Sequence, residues 1–115
     1  MELKLRCPLK EVKSTILRAS VNAMAGEMIK VGDLIGVVTE DAVNDEFVLV
    51  YEAERIVVPK VVADGVSFFP GDNVYYDAVQ KAVTNTADGN TLCGKALESV
   101  VPAGVEVLIM LKVLA

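Results

Sequence analysis

Apolar positions in this 115-residue chain fall in short runs, and most runs alternate with polar residues instead of recurring at helical spacing. Leu3 and Leu5 alternate with Lys4 and Arg6, the pattern of a short strand with one buried face. Pro8 keeps that strand out of a sheet centre. It is either an edge strand of its own domain or an arm that adds to a partner's sheet. Ser14 to Val21 is rich in β-branched residues and reads as a strand. Met28 to Val31 is another. Leu34 to Thr39 is almost continuously apolar, which suits a strand covered on both faces. Gly36 inside it marks a bulge or a close backbone approach. Glu46 to Tyr51 and Glu54 to Val58 read as two strands parted around Ala53. Pro59 ends the second, because it has no N–H to give to a ladder, and Lys60-Val61-Val62 continues extended. Val74 to Tyr76, Lys81 to Thr84, Leu92 to Ser99 and Val105 to Leu114 complete the set. The last alternates poorly, so both its faces are expected to be covered.

Turn chemistry separates these runs. Pro70 pre-sets the φ of a first turn position, Gly71 accepts the positive φ of the next, and Asp72 can hold the turn through its side chain. Gly32-Asp33, Asp64-Gly65, Gly89-Asn90 and Pro102-Ala103-Gly104 are further bends. A glycine, then an acid, then a strand start recurs at Gly26-Glu27, Gly32-Asp33 and Gly71-Asp72, which is repeated turn chemistry. Gly94, interrupting Leu92 to Ser99, joins Gly32, Asp33, Pro70, Gly71, Asp72, Gly89 and Asn90 as a structural turn residue. At most one turn of helix fits near Ala42 to Asp45 or Ala63 to Phe69. The expected fold is all-β: a compact small β-barrel or β-sandwich of short antiparallel strands with little helix.

Composition narrows the function classes. Hydrophobic residues make up 53% of the chain, which excludes disorder, while aromatics are only 5% with no Trp. The core must then be Val, Ile, Leu, Ala and Met. Eleven cations against sixteen acids give a net charge of −5. No basic cluster suits nucleic acid. Four of those cations nevertheless lie between Lys4 and Lys13, making a basic N-terminal segment in an acidic protein. No apolar run reaches a membrane-spanning length, and the first residues lack the apolar core of a signal peptide. Synthesis in a cytosol-like compartment follows.

Reaction chemistry is sparse. The sequence has no His, the usual base for a Ser or Cys nucleophile. Phosphate-binding glycine loops are missing. Asp33, Asp72 and Asp77 could pair as acid and base, but each sits where turn-forming Asp is commonplace. Asp41, Asn44, Asp45 and Glu46 form part of a calcium-loop ligand set without its glycine, so a solvated hairpin loop is the expectation. Cys7 and Cys93 have no metal-ligand spacing. They read as two reduced, small apolar residues, with a bridge between them left open. No catalytic, cofactor-binding or metal residue is assigned.

Several pieces in order resemble a known family. These are Val31-Gly32-Asp33-Leu34-Ile35-Gly36-Val37-Val38, Val58-Pro59-Lys60, Pro70-Gly71-Asp72-Asn73-Val74-Tyr75-Tyr76-Asp77, Lys81-Ala82-Val83-Thr84 and Gly89-Asn90-Thr91-Leu92-Cys93-Gly94-Lys95-Ala96-Leu97-Glu98. Together with the closing Val105 to Leu111 strand they resemble the small phage capsid decoration (cementing) proteins of the DUF2190 type, over residues 25 to 111. The family usually has Trp where Tyr76 stands and Gly where Asp45 stands. The resemblance implies a β-tulip-like fold and a structural virion protein, not an enzyme. It also implies homotrimers bridging major capsid protein subunits on the outer capsid surface, with no nucleic acid, membrane or cofactor. Residues 1–20 are then an N-terminal arm with the first strands, with Leu3, Leu5, Arg6 and Pro8 as candidate contacts to capsid or neighbour. Residues 21–115 form the single decoration domain. The apolar stretch 56–63 serves either the core or a subunit interface. The competing reading is a small β-barrel adaptor for carbohydrate or peptide, which would need exposed members of the set Phe47, Tyr51, Phe68, Phe69, Tyr75 and Tyr76.

Overall fold

Short strands need partners on both edges, and one long strand supplies most of them here. The computed structural model describes residues 4–5, 12–18, 23–32 and 34–112. Its strands are β1 (Lys4–Leu5), β2 (Val12–Arg18), β3 (Met28–Val31), β4 (Leu34–Val38), β5 (Glu46–Pro59), β6 (Asn73–Asp77), β7 (Ala82–Thr84), β8 (Thr91–Ala96) and β9 (Glu106–Lys112). The described residues contain no helix, and the two candidate helical turns are tight bends instead. The strands form one antiparallel sheet in the order β3-β4-β5-β9-β8-β6-β7, with β1 and β2 also paired to β5. The fold is all-β and barrel-like.

β5 corrects the sequence reading most. Two strands were expected, at Glu46 to Tyr51 and Glu54 to Val58; there is one strand of 14 residues. Its alternation breaks because it carries two bulges. Against β2 the register passes from Glu52–Lys13 to Val50–Ser14 and skips Tyr51. Against β9 it passes from Ala53–Leu111 to Ile56–Ile109, three residues against two. Each extra residue resets which face the next side chain takes. Val50, Ala53, Ile56 and Val58 therefore all reach one core, while Phe47 and Leu49 enter another. Without the bulges, the two-residue period would turn Ala53 to the face opposite Val50, Ile56 and Val58.

The larger core lies inside the barrel, where Phe68, Val74, Tyr76, Val83, Cys93, Val107, Ile109 and Leu111 meet the β5 side chains. The β3–β4 hairpin folds over with both faces covered. Met28, Ile35 and Val37 join the larger core, and Ile29 and Val38 the smaller one. β4 is thus covered on both faces, as its continuous apolar run predicts. β9 is not: Val107, Ile109 and Leu111 are buried, whereas Leu108 and Met110 are only partly covered. Its ordinary alternation, masked in sequence by Leu108 and Met110, replaces the expected two-sided burial. Of the stretch 56–63, Ile56, Val58, Lys60 and Val61 are buried and Val62 is exposed.

The ring closes without a long strand pair. Lys60, just past β5, bridges to Val83 of β7 in parallel, and the Val61 N–H donates to the Val83 carbonyl at 2.9 Å. The Phe69 to Asp72 turn is stitched to the end of β8, with Gly71 N–H donating to the Ala96 carbonyl and Ala96 N–H to that of Asp72. The Gly71-Asp72 turn is thus bonded to the strand that follows Gly89-Asn90.

Gly94 belongs to this sheet, not to a turn. It lies inside β8, where a Cβ would overlap the Met110 carbonyl oxygen of β9. The same holds at Gly36, where a Cβ would strike the Val50 carbonyl oxygen. Gly94→Ala should therefore destabilise the protein by about 1–3 kcal/mol, the usual cost of overpacking. Urea unfolding would measure it, with faster amide exchange across β8 and β9. Wild-type stability in that variant would contradict the close approach.

Candidate functional site

The acids expected as turn formers act locally. Asp72 Oδ2 accepts the Phe69 N–H at 2.8 Å. Asp77 Oδ1 accepts from Val79 N–H at 2.9 Å and Gln80 N–H at 3.1 Å, shaping the β6–β7 bend. Each carboxylate thus takes backbone donors next to it, as a turn-forming Asp does. Gly32, Gly71 and Gly89 take left-handed φ values of 60°, 93° and 77°. Asn90 Nδ2 donates to the Thr86 carbonyl. Asp33 lies outside the described residues, as do Leu3, Arg6, Pro8 and Cys7. Leu5 pairs through its backbone with Ile56.

The acidic connection between β4 and β5 is a tight hairpin. Val43 and Glu46 exchange both backbone hydrogen bonds, and Asn44 and Asp45 between them have φ of 54° and 64°. Two successive left-handed residues match the right-handed twist of the flanking strands, and Asn and Asp tolerate that conformation. Asp41 is engaged elsewhere, its Oδ1 accepting the Ala25 N–H at 2.9 Å. Among the described residues no group of three or more His, Cys, Asp or Glu side chains could hold a metal ion.

Lys60 is the polar group that sequence reasoning missed. It is buried, and its ammonium donates to the carbonyls of Val61 (2.8 Å), Pro102 (2.9 Å) and Gly104 (3.1 Å). All three N–H groups are thereby engaged, which is the condition for keeping a lysine in an apolar setting. Burial pushes its pKa below the ordinary 10.5. The side chain ties the turn before β9 to the end of β5. The sequence signal was a lone cation in the apolar run Val58 to Val62, directly after Pro59.

Two further buried groups carry protons. The Tyr76 hydroxyl donates to the Met28 carbonyl at 2.8 Å. Burial, then the charges of Glu27 and Asp77, raises its pKa from 10.0 to about 12. Cys93 is a free thiol wholly inside the barrel, raised from 9.0 to about 12 by burial. A thiol held protonated is a poor nucleophile and a poor metal ligand.

The surface offers shallow hollows. One of about 450 Å³ is lined by Val62, Ala63, Asp64, Val101, Pro102 and Ala103, beside the turn that Lys60 holds. A smaller one of about 180 Å³ lies against Ile16, Val43 and Val48 near the hairpin tip. The aromatics make no sugar-binding platform: Phe47, Phe68 and Tyr76 are buried, Tyr51 and Tyr75 are partly buried, and Phe69 alone is exposed. What the site chemistry defines is a structural β-module, with its polar groups spent on turns, sheet edges and loop anchoring. A sequence model described as phage cement protein matches residues 10–111, nearly the whole chain, and the chain belongs to that family. The family gives it a structural role in the phage capsid. No curated protein and no solved structure matches it.

Two outcomes follow. Lys60→Met strands the Pro102 and Gly104 carbonyls and should cost about 1–3 kcal/mol, with faster amide exchange in residues 101–105. Wild-type stability and exchange would contradict the anchoring role. Cys93 and Tyr76 also set the alkaline limit. Their folded pKa values lie above the unfolded ones, so the folded state keeps protons that the unfolded chain releases. Their stabilisation is complete below about pH 9 and drains away as pH rises toward about 12. Lys60 acts in the opposite sense, since its lowered pKa makes stability rise with pH just below 10.5. Urea midpoints between pH 8 and pH 11 should therefore fall less steeply in Cys93→Ala than in wild type.

Proposed function

We propose that this protein decorates the outer surface of a phage capsid as trimers that bridge major capsid protein subunits and stabilise the shell. The carrying observation is the family match over residues 10–111. Three features support the reading. Asp72, Asp77 and Lys60 engage backbone groups that shape turns and hold loops, in keeping with a structural role. The turn after Val101 is tied to the end of β5 by Lys60, which holds the surface beside Val62 and Val101 together. Exposed Val62, Val101 and Val105 supply apolar area that an assembly can bury.

The first segment, with Leu3, Leu5, Arg6 and Pro8, is the proposed contact to capsid or neighbour. Trimers on one shell would multiply modest single-site affinities, because each trimer engages several subunits at once. The protein would be made in the host cytoplasm and would need no cofactor.

Co-sedimentation with mature heads that lack the protein tests this. Saturable binding at about three copies per threefold position, with heads made more heat-resistant, is the expected result. Deletion of residues 1–8 should abolish binding and, because it takes β1 off the edge of β5, lower the melting temperature while the chain still folds cooperatively. Undiminished binding by that deletion would remove the segment from the interface, and no binding by the intact protein would overturn the capsid role.

A further inference from the structure

A sheet of this kind has few places where backbone hydrogen-bonding groups remain to be satisfied. β7 is sealed by Lys60 and Val61, through the Val61 N–H on the Val83 carbonyl. β3 is blunted from the other side. Val38 N–H takes the Glu27 carbonyl on the β4 side, so the next carbonyl, that of Met28, points outward, and there the Tyr76 hydroxyl occupies it. β2 is different. It pairs only with β5 among the described residues, from Val12–Ala53 to Arg18–Glu46, and its outer edge has no strand beside it there. It is seven residues long, and Ile16 at its middle is 67% exposed.

Natural sheets usually disarm such an edge with charge, Pro or a covering element. β2 carries charge only near its ends, at Lys13 and Arg18, on either side of the bare Ile16. We propose that the outer edge of β2 accepts one strand of the capsid shell protein, an extended segment with carboxylates flanking an apolar residue. The apolar residue would lie against Ile16, and the carboxylates would reach Lys13 and Arg18. Backbone bonds along the edge supply the attraction, and the charge pattern selects the register. This rests on the capsid-binding reading and names the partner's chemistry.

Charge favours a shell strand over a second copy of β2 in the same place. Antiparallel pairing of β2 with β2, centred between Thr15 and Ile16, sets Lys13 opposite Arg18, a like-charge contact, and in any register β2 has no carboxylate of its own to set against either cation. The cations are not locked in place. Lys13 meets Glu52 at 3.2 Å while remaining 65% exposed, and a surface pair of this kind is readily exchanged. Arg18 stands across the ladder from Glu46.

The test is binding to heads that lack the protein, with wild type, Lys13→Glu/Arg18→Glu, Ile16→Lys, and a control with the same charge change at Lys30 and Lys95. The double reversal and Ile16→Lys should each weaken binding about tenfold or more; the control should bind within about twofold of wild type. Amide exchange in residues 12–18 should slow when wild type is bound. Should Ile16→Lys fail to fold, as judged by its melting curve, the double reversal and the exchange measurement carry the test. Wild-type binding by folded edge variants, with no protection of residues 12–18, would overturn the edge assignment and leave the capsid role standing. If wild type itself ignores the heads, both fall. If the variants lose only self-association in sedimentation velocity and bind heads normally, the edge belongs to a second copy and the proposal is wrong.

Discussion

Everything in this molecule depends on satisfying both edges of one long strand. β5 pairs with β1 and β2 along one edge and with β4 and β9 along the other. A flat, unbroken strand of that length could present its alternate side chains to only one core on each face. Ordinary alternation sends Phe47 and Leu49 to the smaller core and Val50 to the larger one, and the two bulges then keep Ala53 on the same side as Val50, Ile56 and Val58. The barrel and the folded-over hairpin are therefore not separate units joined by a linker. They share a strand, and the change of face along that strand divides the apolar residues between two cores.

The buried polar groups follow the same logic. An aliphatic core with so few aromatics has little to hold its loops by stacking. Here a lysine binds three carbonyls at one end of the barrel, and a tyrosine hydroxyl satisfies an outward carbonyl at the sheet margin. Each satisfies backbone carbonyls that the described strand ladders leave to side chains. The pKa displacements at Lys60, Tyr76 and Cys93 all trace first to burial. They belong to the way the barrel is closed and filled, and none marks a reagent.

The all-β class and most strand positions were legible from alternation and from glycine-acid turns. Those signals are local, and the structure uses them locally at Gly71-Asp72 and Asp77. What was not legible depends on neighbours distant in sequence. Ala53, between two glutamates, reads as a break, because a bulge and a loop disturb the two-residue period alike. Gly94 reads as a bend until Met110 is brought against it from β9. Lys60 looks like one more solvated cation until Pro102 and Gly104 arrive. Asn44 and Asp45 pass for part of an acidic loop because the hairpin they form uses no glycine. On the functional side, the ordered motifs pointed to the capsid decoration family, whereas no local pattern distinguishes an open sheet edge from a closed one.

That difference between edges has a bearing on growth. A β-module with two open edges is bivalent: it can join others end on end into a fibre, and at high concentration it will. Here β7 is bridged by main chain at Val83 and one carbonyl of β3 is taken by a phenol, while β2 is the longest strand with no second partner among the described residues. If β2 is the edge used for strand pairing, the molecule would be monovalent in that contact. It would terminate another protein's sheet, as an end-capping monomer halts a polymer.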